Sequence, residues 1–173
     1  ITEGGTAANI VPDLAVAEFI LRTPVLGYME VLKEKFINCA KAAALSTGSI
    51  VEVSINESYK GTVTNETLSG VYEKHLKYIG VRDIVQGQIR NISTDMGDVS
   101  QVCPTISPYF PVVEKGINIP LHTVEFGEAT LTDTAYKGMV ESIYGLVSTA
   151  VDVIRDKELL STIKDEFNQT FGV

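Results

Sequence analysis

The chain has 173 residues, of which 45% are hydrophobic and 21% charged, the composition of a globular protein with room for one domain or two small ones. A formal net charge of −8, with no basic run, excludes a partner that must be held through its phosphates, so no nucleic acid is expected. No apolar run approaches the roughly 18 residues of a membrane span, and no charged segment leads into an apolar one; the expectation is a cytoplasmic protein with no membrane partner.

Residues 6–11 and 14–22, on either side of Pro12-Asp13, read as a β-hairpin. In the second strand Ala15, Ala17, Phe19 and Leu21 share an apolar face expected to pack on a helix, while Val16, Glu18, Ile20 and Arg22 form the open face. Thr23-Pro24 supplies an N-cap and a first helical residue, and Met29, Leu32, Phe36, Cys39, Ala40 and Ala43 recur at helical spacing up to a stop at Gly48. Residues 50–56 alternate, with Val51, Val53 and Ile55 inward, and predict a half-buried strand. The first 60 residues therefore read β-β-α-β, three strands and one helix that fall short of a complete split βαββαβ layer.

Composition turns polar at 59–64, and a boundary there divides the chain into 1–61 and 62–173. Asn65 caps a helix reaching Ile79, with Leu68, Val71, Tyr72 and Leu76 inward; a short strand is expected over 84–91. The proline- and glycine-bearing stretch 93–111 predicts a loop with a short strand near 102–106, and a second loop covers 114–126. A long helix over 134–155 is expected to bury Ala135, Met139, Ile143, Leu146, Ala150 and Val153, and a last helix spans 158–170. Cys39 and Cys103, 64 positions apart in apolar contexts, are expected as buried free thiols, with a disulfide as the alternative.

Chemistry is constrained by the presence of only two histidines, because hydrolytic metal sites draw on several imidazole or carboxylate donors. His75 falls within a helix and reads as a structural or solvated residue, whereas His122 sits in a loop, where functional groups concentrate. The segment Ser93-Thr94-Asp95-Met96-Gly97-Asp98-Val99-Ser100 packs hydroxyls, carboxylates and a glycine into eight residues, suited to orienting a ligand or to building an Asx turn. Asn9 and Arg22 form a third pair: the arginine is able to grip a carboxylate bidentately, or to pair with Glu18. No P-loop, dinucleotide fingerprint, HExxH, nucleophile elbow or CxxC is present.

Taken together these segments resemble the aminoacylase/carboxypeptidase G family of dinuclear-metal amidohydrolases. Gly4-Gly5-Thr6-Ala7-Ala8-Asn9-Ile10-Val11-Pro12-Asp13, with Arg22 thirteen positions after Asn9, resembles the family's lid, or dimerisation, domain. Residues 93–100, continuing to Pro104 and Pro108-Tyr109-Phe110, look like a segment of its aminobenzoyl-glutamate hydrolase and β-alanyl dipeptidase branch. Leu121-His122-Thr123, followed by Glu125 and Phe126, resembles the C-terminal metal-ligand loop.

The resemblance implies an α/β protein. A partial ferredoxin-like lid (β-β-α-β, residues 1–61) would be followed by the C-terminal part of an α/β/α sandwich catalytic domain. It implies two zinc or manganese ions activating a water, with His122 as one metal ligand. It also implies substrate contacts from Asn9, Arg22, Ser93, Thr94 and Gly97, and no catalytic residue of the chain's own. A small amide or dipeptide substrate and a homodimer formed through the lid follow from the same likeness. Two positions depart from the branch: Ile92 stands where glycine is usual, and Ser107 where many relatives carry histidine. The family's remaining ligands and its general base belong to an N-terminal half with no counterpart in this two-histidine sequence.

Overall fold

A computed structural model describes residues 1–23, 25, 27–56, 59–85 and 94–172. Its helices are α1 (Met29–Thr47), α2 (Glu66–Tyr78), α3 (Met96–Ser100), α4 (Val124–Ala129), α5 (Asp133–Arg155) and α6 (Lys157–Phe171). The chain divides into two compact units, Ile1–Glu57 and Ser58–Val173.

In the first unit α1 ends where Gly48 turns left-handed (φ 69°), a conformation glycine adopts without a Cβ penalty. Its start differs from the expectation. Tyr28 is the N-cap residue, and the Thr23 hydroxyl instead accepts from the Val25 amide at 3.1 Å; Pro24 lies outside the described residues. The Phe19 and Phe36 rings meet edge-on at 4.9 Å, so one pair from the expected apolar faces does pack. Cys39 and Cys103 are free, as expected, but both are exposed rather than buried.

The expected α/β fold is not observed. Among the described residues there is no strand, only an isolated antiparallel bridge between Glu3 and Val16, in which the Val16 amide donates to the Glu3 carbonyl at 2.9 Å. Residues 6–22 do not pair as a hairpin, and residues 50–56 have no regular structure, with Ile50 94% exposed. Neither the β-β-α-β lid nor a sandwich with a central sheet is present among the described residues. Alternation of apolar and polar residues records fit to a pleated, half-buried surface; the ladder itself comes from a neighbouring strand. Two short strands without a third, or without a covering layer, are marginal in water. The strand expected at 102–106 is likewise absent; that at 84–91 falls mostly on 86–93, outside the described residues.

The second unit is built around α2, α5 and α6, which pack on one another. Side-chain caps at their N-termini satisfy amides that the helix leaves unpaired: Asn65 accepts from Leu68, Thr132 from Ala135, and Asp156 from Glu158 and Leu159. α2 presents Tyr72 and Leu76, both buried, to α5. The face of α5 that receives them carries Ala135, Gly138, Ser142, Gly145 and Thr149, spaced three and four apart. This corrects the expected inward stripe, since Met139, Ile143 and Leu146 are exposed. Gly145 is small because the tyrosine ring needs the volume, and Gly138 because residues 110–111 pass close by. A Cβ on Gly145 would lie 2.6 Å from Tyr72 Cε2, and one on Gly138 would lie 2.9 Å from the Pro111 carbonyl oxygen. The Tyr72 hydroxyl and Ser142 Oγ, 3.0 Å apart, satisfy each other at the buried end of the contact.

Substituting alanine for glycine in an open helix position stabilises by up to about 1 kcal/mol, and Gly70, which has open space around its missing Cβ, is such a position. At Gly145 the same substitution drives a methyl into the Tyr72 ring, where overpacking costs about 1–3 kcal/mol. Gly70→Ala is therefore expected to raise the urea midpoint of α-helical circular dichroism and Gly145→Ala to lower it; equal shifts of the same sign would contradict the close α2–α5 contact.

Candidate functional site

The sequence-derived site residues fall in both units. Asn9 occupies a turn and Arg22 an irregular segment of the first unit, and both are exposed. In the second unit Thr94 and Gly97 lie in one turn, where the Gly97 amide donates to the Thr94 carbonyl at 2.9 Å. Ser93 lies outside the described residues. His122 stands on the turn that leads into α4 and is exposed.

Residues 94–101 form a bracket rather than the expected open loop. Met96–Ser100 is the helix α3, and Gly97 is buried against the backbone of residues 60–61, where a Cβ would collide with the Lys60 carbonyl oxygen. Asp98 accepts from the Lys60 amide at 3.2 Å, Ser100 Oγ accepts from the Val63 amide at 3.0 Å, and Gln101 Nε2 donates to the Gly61 carbonyl at 3.1 Å. Gly97 is thus required by close backbone approach within the chain. The Thr94 hydroxyl stays local, donating to Asp95 at 3.1 Å and facing the Met96 amide at 3.4 Å.

His122 is the one non-glycine residue with positive φ among those described (64°). Left-handed backbone costs a non-glycine residue of order 1–3 kcal/mol and persists where its surroundings over-determine it. Thr123 supplies that constraint: its hydroxyl donates to the Pro120 carbonyl at 3.0 Å and accepts from the Phe126 amide at 3.2 Å, closing the turn and capping α4. The imidazole is therefore presented outward from a braced turn. No three His, Cys, Asp or Glu side chains come together to hold a metal among the described residues.

Two polar clusters were not anticipated as such. His75 Nε2 and Asp152 Oδ2 meet at 2.8 Å and tie α2 to α5, beside an open depression lined by Lys74, Asp152 and Arg155. The only signal in the sequence was the placement of both residues on predicted helices. The second cluster is the clasp at the N-terminus of α2. Asn65 donates from Nδ2 to the Ile163 carbonyl at 3.1 Å and from its amide to the Thr105 carbonyl at 2.9 Å. Glu166 of α6 accepts from the Glu66 and Thr67 amides at 2.5 and 2.9 Å, placing a carboxylate where the helix dipole favours negative charge. Partial burial acts to raise the Glu166 pKa, but the hydrogen bonds from the Thr67 side chain and from the Thr67 and Glu66 amides outweigh it and hold the carboxyl below its ordinary value. No hydrogen bond joins either cluster to His122 or to Thr94 among the described residues.

Because Glu166 binds its proton less readily in the fold than in the unfolded chain, the stability it contributes is fully present above about pH 4.3, the ordinary glutamate value. It is lost as pH falls through the lowered native value. Denaturant midpoints of the wild type and Glu166→Gln should differ at pH 6 and converge toward pH 3; a difference independent of pH would remove the clasp as its source.

No family model matches the chain. Over 171 residues, 96% of its length, it is 33% identical to an Xaa-Arg dipeptidase of Mus musculus and 32% identical to an Xaa-Arg dipeptidase of Homo sapiens, covering 39% and 38% of those proteins. It is also 22% identical over 221 residues to one of the subunits of the p-aminobenzoyl-glutamate hydrolase of Escherichia coli (strain K12), covering 96% of this chain and 46% of that protein. The chain thus spans about two fifths of the length of the dipeptidases it matches.

Proposed function

We propose that the chain, which belongs to the aminoacylase/carboxypeptidase G family of amidohydrolases, is the C-terminal part of a metal-dependent enzyme hydrolysing an amide bond beside a free carboxylate. A dipeptide, an N-acyl amino acid or an aminobenzoyl-glutamate has that chemistry. The observation that carries this reading is the similarity to two dipeptidases along 96% of the chain. Their name specifies a dipeptide ending in arginine, and a dipeptide is the substrate class we favour here. A homodimer and a cytoplasmic location belong to the same reading.

In this proposal Arg22 and Asn9 bind the substrate's carboxylate. A guanidinium suits that task because its planar fork matches the two carboxylate oxygens. Thr94 and Ser93 line the substrate's path, while Gly97 acts indirectly, by letting α3 close on the backbone of residues 60–61. His122 contributes one ligand to a zinc or manganese site; its exposed imidazole on a strained, braced turn supports that role. The described residues do not by themselves make a two-metal site, since one histidine has no further donors gathered around it, and no step is derived through a metal. The 173-residue chain alone is accordingly proposed to be inactive and to act within a larger assembly.

Two substitutions in the complete enzyme test the assignments. His122→Ala is expected to lower bound metal, read by elemental analysis, at least about 10-fold together with turnover; unchanged metal content would remove His122 as a ligand. Arg22→Ala removes a charge-assisted contact of about 1.5–3 kcal/mol and is expected to raise KM roughly 10- to 100-fold with little change in kcat. A fall in kcat at constant KM would instead place Arg22 in transition-state stabilisation.

A further inference from the structure

Residues 94–100 are tied to the rest of the second unit by hydrogen bonds that pass through one buried side chain. The Val63 amide donates to Ser100 Oγ at 3.0 Å, the Ser100 hydroxyl donates to the Gly97 carbonyl at 2.7 Å, and the Gly97 amide donates to the Thr94 carbonyl at 2.9 Å. The hydroxyl accepts one bond and donates the next, so the two strengthen each other. Ser100 is 1% exposed, the most deeply buried polar side chain among the described residues. The line starts from a fixed base. Two residues after Val63, the Asn65 amide donates to the Thr105 carbonyl at 2.9 Å, and Asn65 Nδ2 donates to the Ile163 carbonyl of α6 at 3.1 Å.

The other ties between 94–101 and 60–63 are of a different kind. Asp98 with the Lys60 amide and Gln101 with the Gly61 carbonyl form exposed bonds, which water replaces at little cost. The Ser100 bonds are not exchangeable in that way. Without the hydroxyl, the Val63 amide loses its acceptor and the Gly97 carbonyl a donor, away from bulk water. Gly97 sits against the Lys60 carbonyl oxygen with no space for a Cβ, so the hold is on backbone and not on a pliable side chain. Thr94, by contrast, is held only from within: its hydroxyl bonds inside 94–96, and its carbonyl takes the Gly97 amide. Where Thr94 stands therefore depends on Gly97 and, through Gly97, on Ser100.

We propose that Ser100 is a positioning residue for substrate binding: by holding Gly97 to the segment 63–65, it sets where Thr94 stands in the substrate's path. The proposal rests on the reading of Thr94 as a substrate contact. It divides the segment from Thr94 to Ser100 into two tasks. The first residue meets the ligand, and the last never does, but acts on the first through Gly97 from a base fixed to α2 and α6.

The test compares Ser100→Ala with Ser142→Ala in the complete enzyme, with a dipeptide ending in arginine as substrate. Ser142 is the control because its hydroxyl is also buried and bonded, to Tyr72 at 3.0 Å, but it lies on α5 and no hydrogen bond leads from it to Thr94. Both substitutions should lower the melting temperature. Ser100→Ala alone should raise KM, by about 10-fold, with kcat within about 2-fold of wild type. Amide hydrogen exchange of a peptide covering 94–99, read by mass spectrometry, should quicken about 10-fold in Ser100→Ala and stay unchanged in Ser142→Ala. Gln101→Leu, which cuts only an exposed tie, should keep the wild-type KM. Ser100→Cys keeps a weak donor and a weak acceptor; it should show an intermediate KM, and it carries the comparison if Ser100→Ala does not fold. A wild-type KM in the Ser100 variants overturns the proposal, and so does a rise shared by Ser142→Ala, which would be general loosening. A complete enzyme that hydrolyses no dipeptide, N-acyl amino acid or aminobenzoyl-glutamate removes the functional reading and with it any role for Ser100 in a reaction. Hydrolysis with KM unmoved by Ser100→Ala removes the positioning role alone.

Discussion

The close approach of α2 to α5 is the constraint on which the second unit depends. Tyr72 and Leu76 reach their buried positions only because α5 offers Gly145 and Ser142 where a larger side chain would collide. Once the two helices are this near, His75 is in reach of Asp152, and a second, polar tie forms farther along the same pair. The N-terminus of α2 is then held where α6 passes it, so that Glu166 and the Ile163 carbonyl complete the groups at that helix end. Replacing the small residues of α5 by larger ones would undo all three, since each is a consequence of the interaxial distance and not a cause of it.

That constraint also explains which features were legible in the sequence. Helix ends were, because caps are local chemistry: Asn65 and Gly48 act where their residue types predict, and α5 and α6 begin within a residue of their expected starts. The face of α5 that packs on α2 was not, because an apolar stripe of large residues is the usual mark of an inward face, and here a stripe of small ones lies beside it. Hydropathy ranks Ile143 above Ser142, but the volume of Tyr72 decides between them. The strands were illegible for a different reason. Residues 50–56 alternate as a strand should, yet pairing is a property of two segments, and a pattern in one of them does not bring the other.

The candidate site divides along the same line. The residues that suggested a family are short motifs in a fixed order, and order survives without knowledge of packing. Their geometry does not: Gly97 is committed to closing α3 against Lys60, and Thr94 bonds to its own neighbours. His122 alone among them carries a backbone signature beyond residue type, its left-handed φ, which no hydropathy pattern could announce because Thr123, and not His122, supplies the bonds that enforce it.

The left-handed turn at His122 and the two faces of α5 are both set by neighbouring residues and not by the residues that display them. The left-handed backbone at His122 is held by the Thr123 hydroxyl, and Ile143, Val147 and Ile154 stay exposed because the small-residue face of α5 is the one that packs. The two are also coupled in consequence. A ligand contributed from one segment to a site completed by another has to be placed to within about half an ångström, and an exposed loop does not achieve that by itself. α4 follows the His122 turn and leads within a few residues into α5, and Thr132 joins the two, its hydroxyl accepting from the Ala135 amide at 3.2 Å to cap α5 and donating to the Ala129 carbonyl at 2.9 Å. The position of the His122 turn is therefore tied, through α4 and Thr132, to the start of α5.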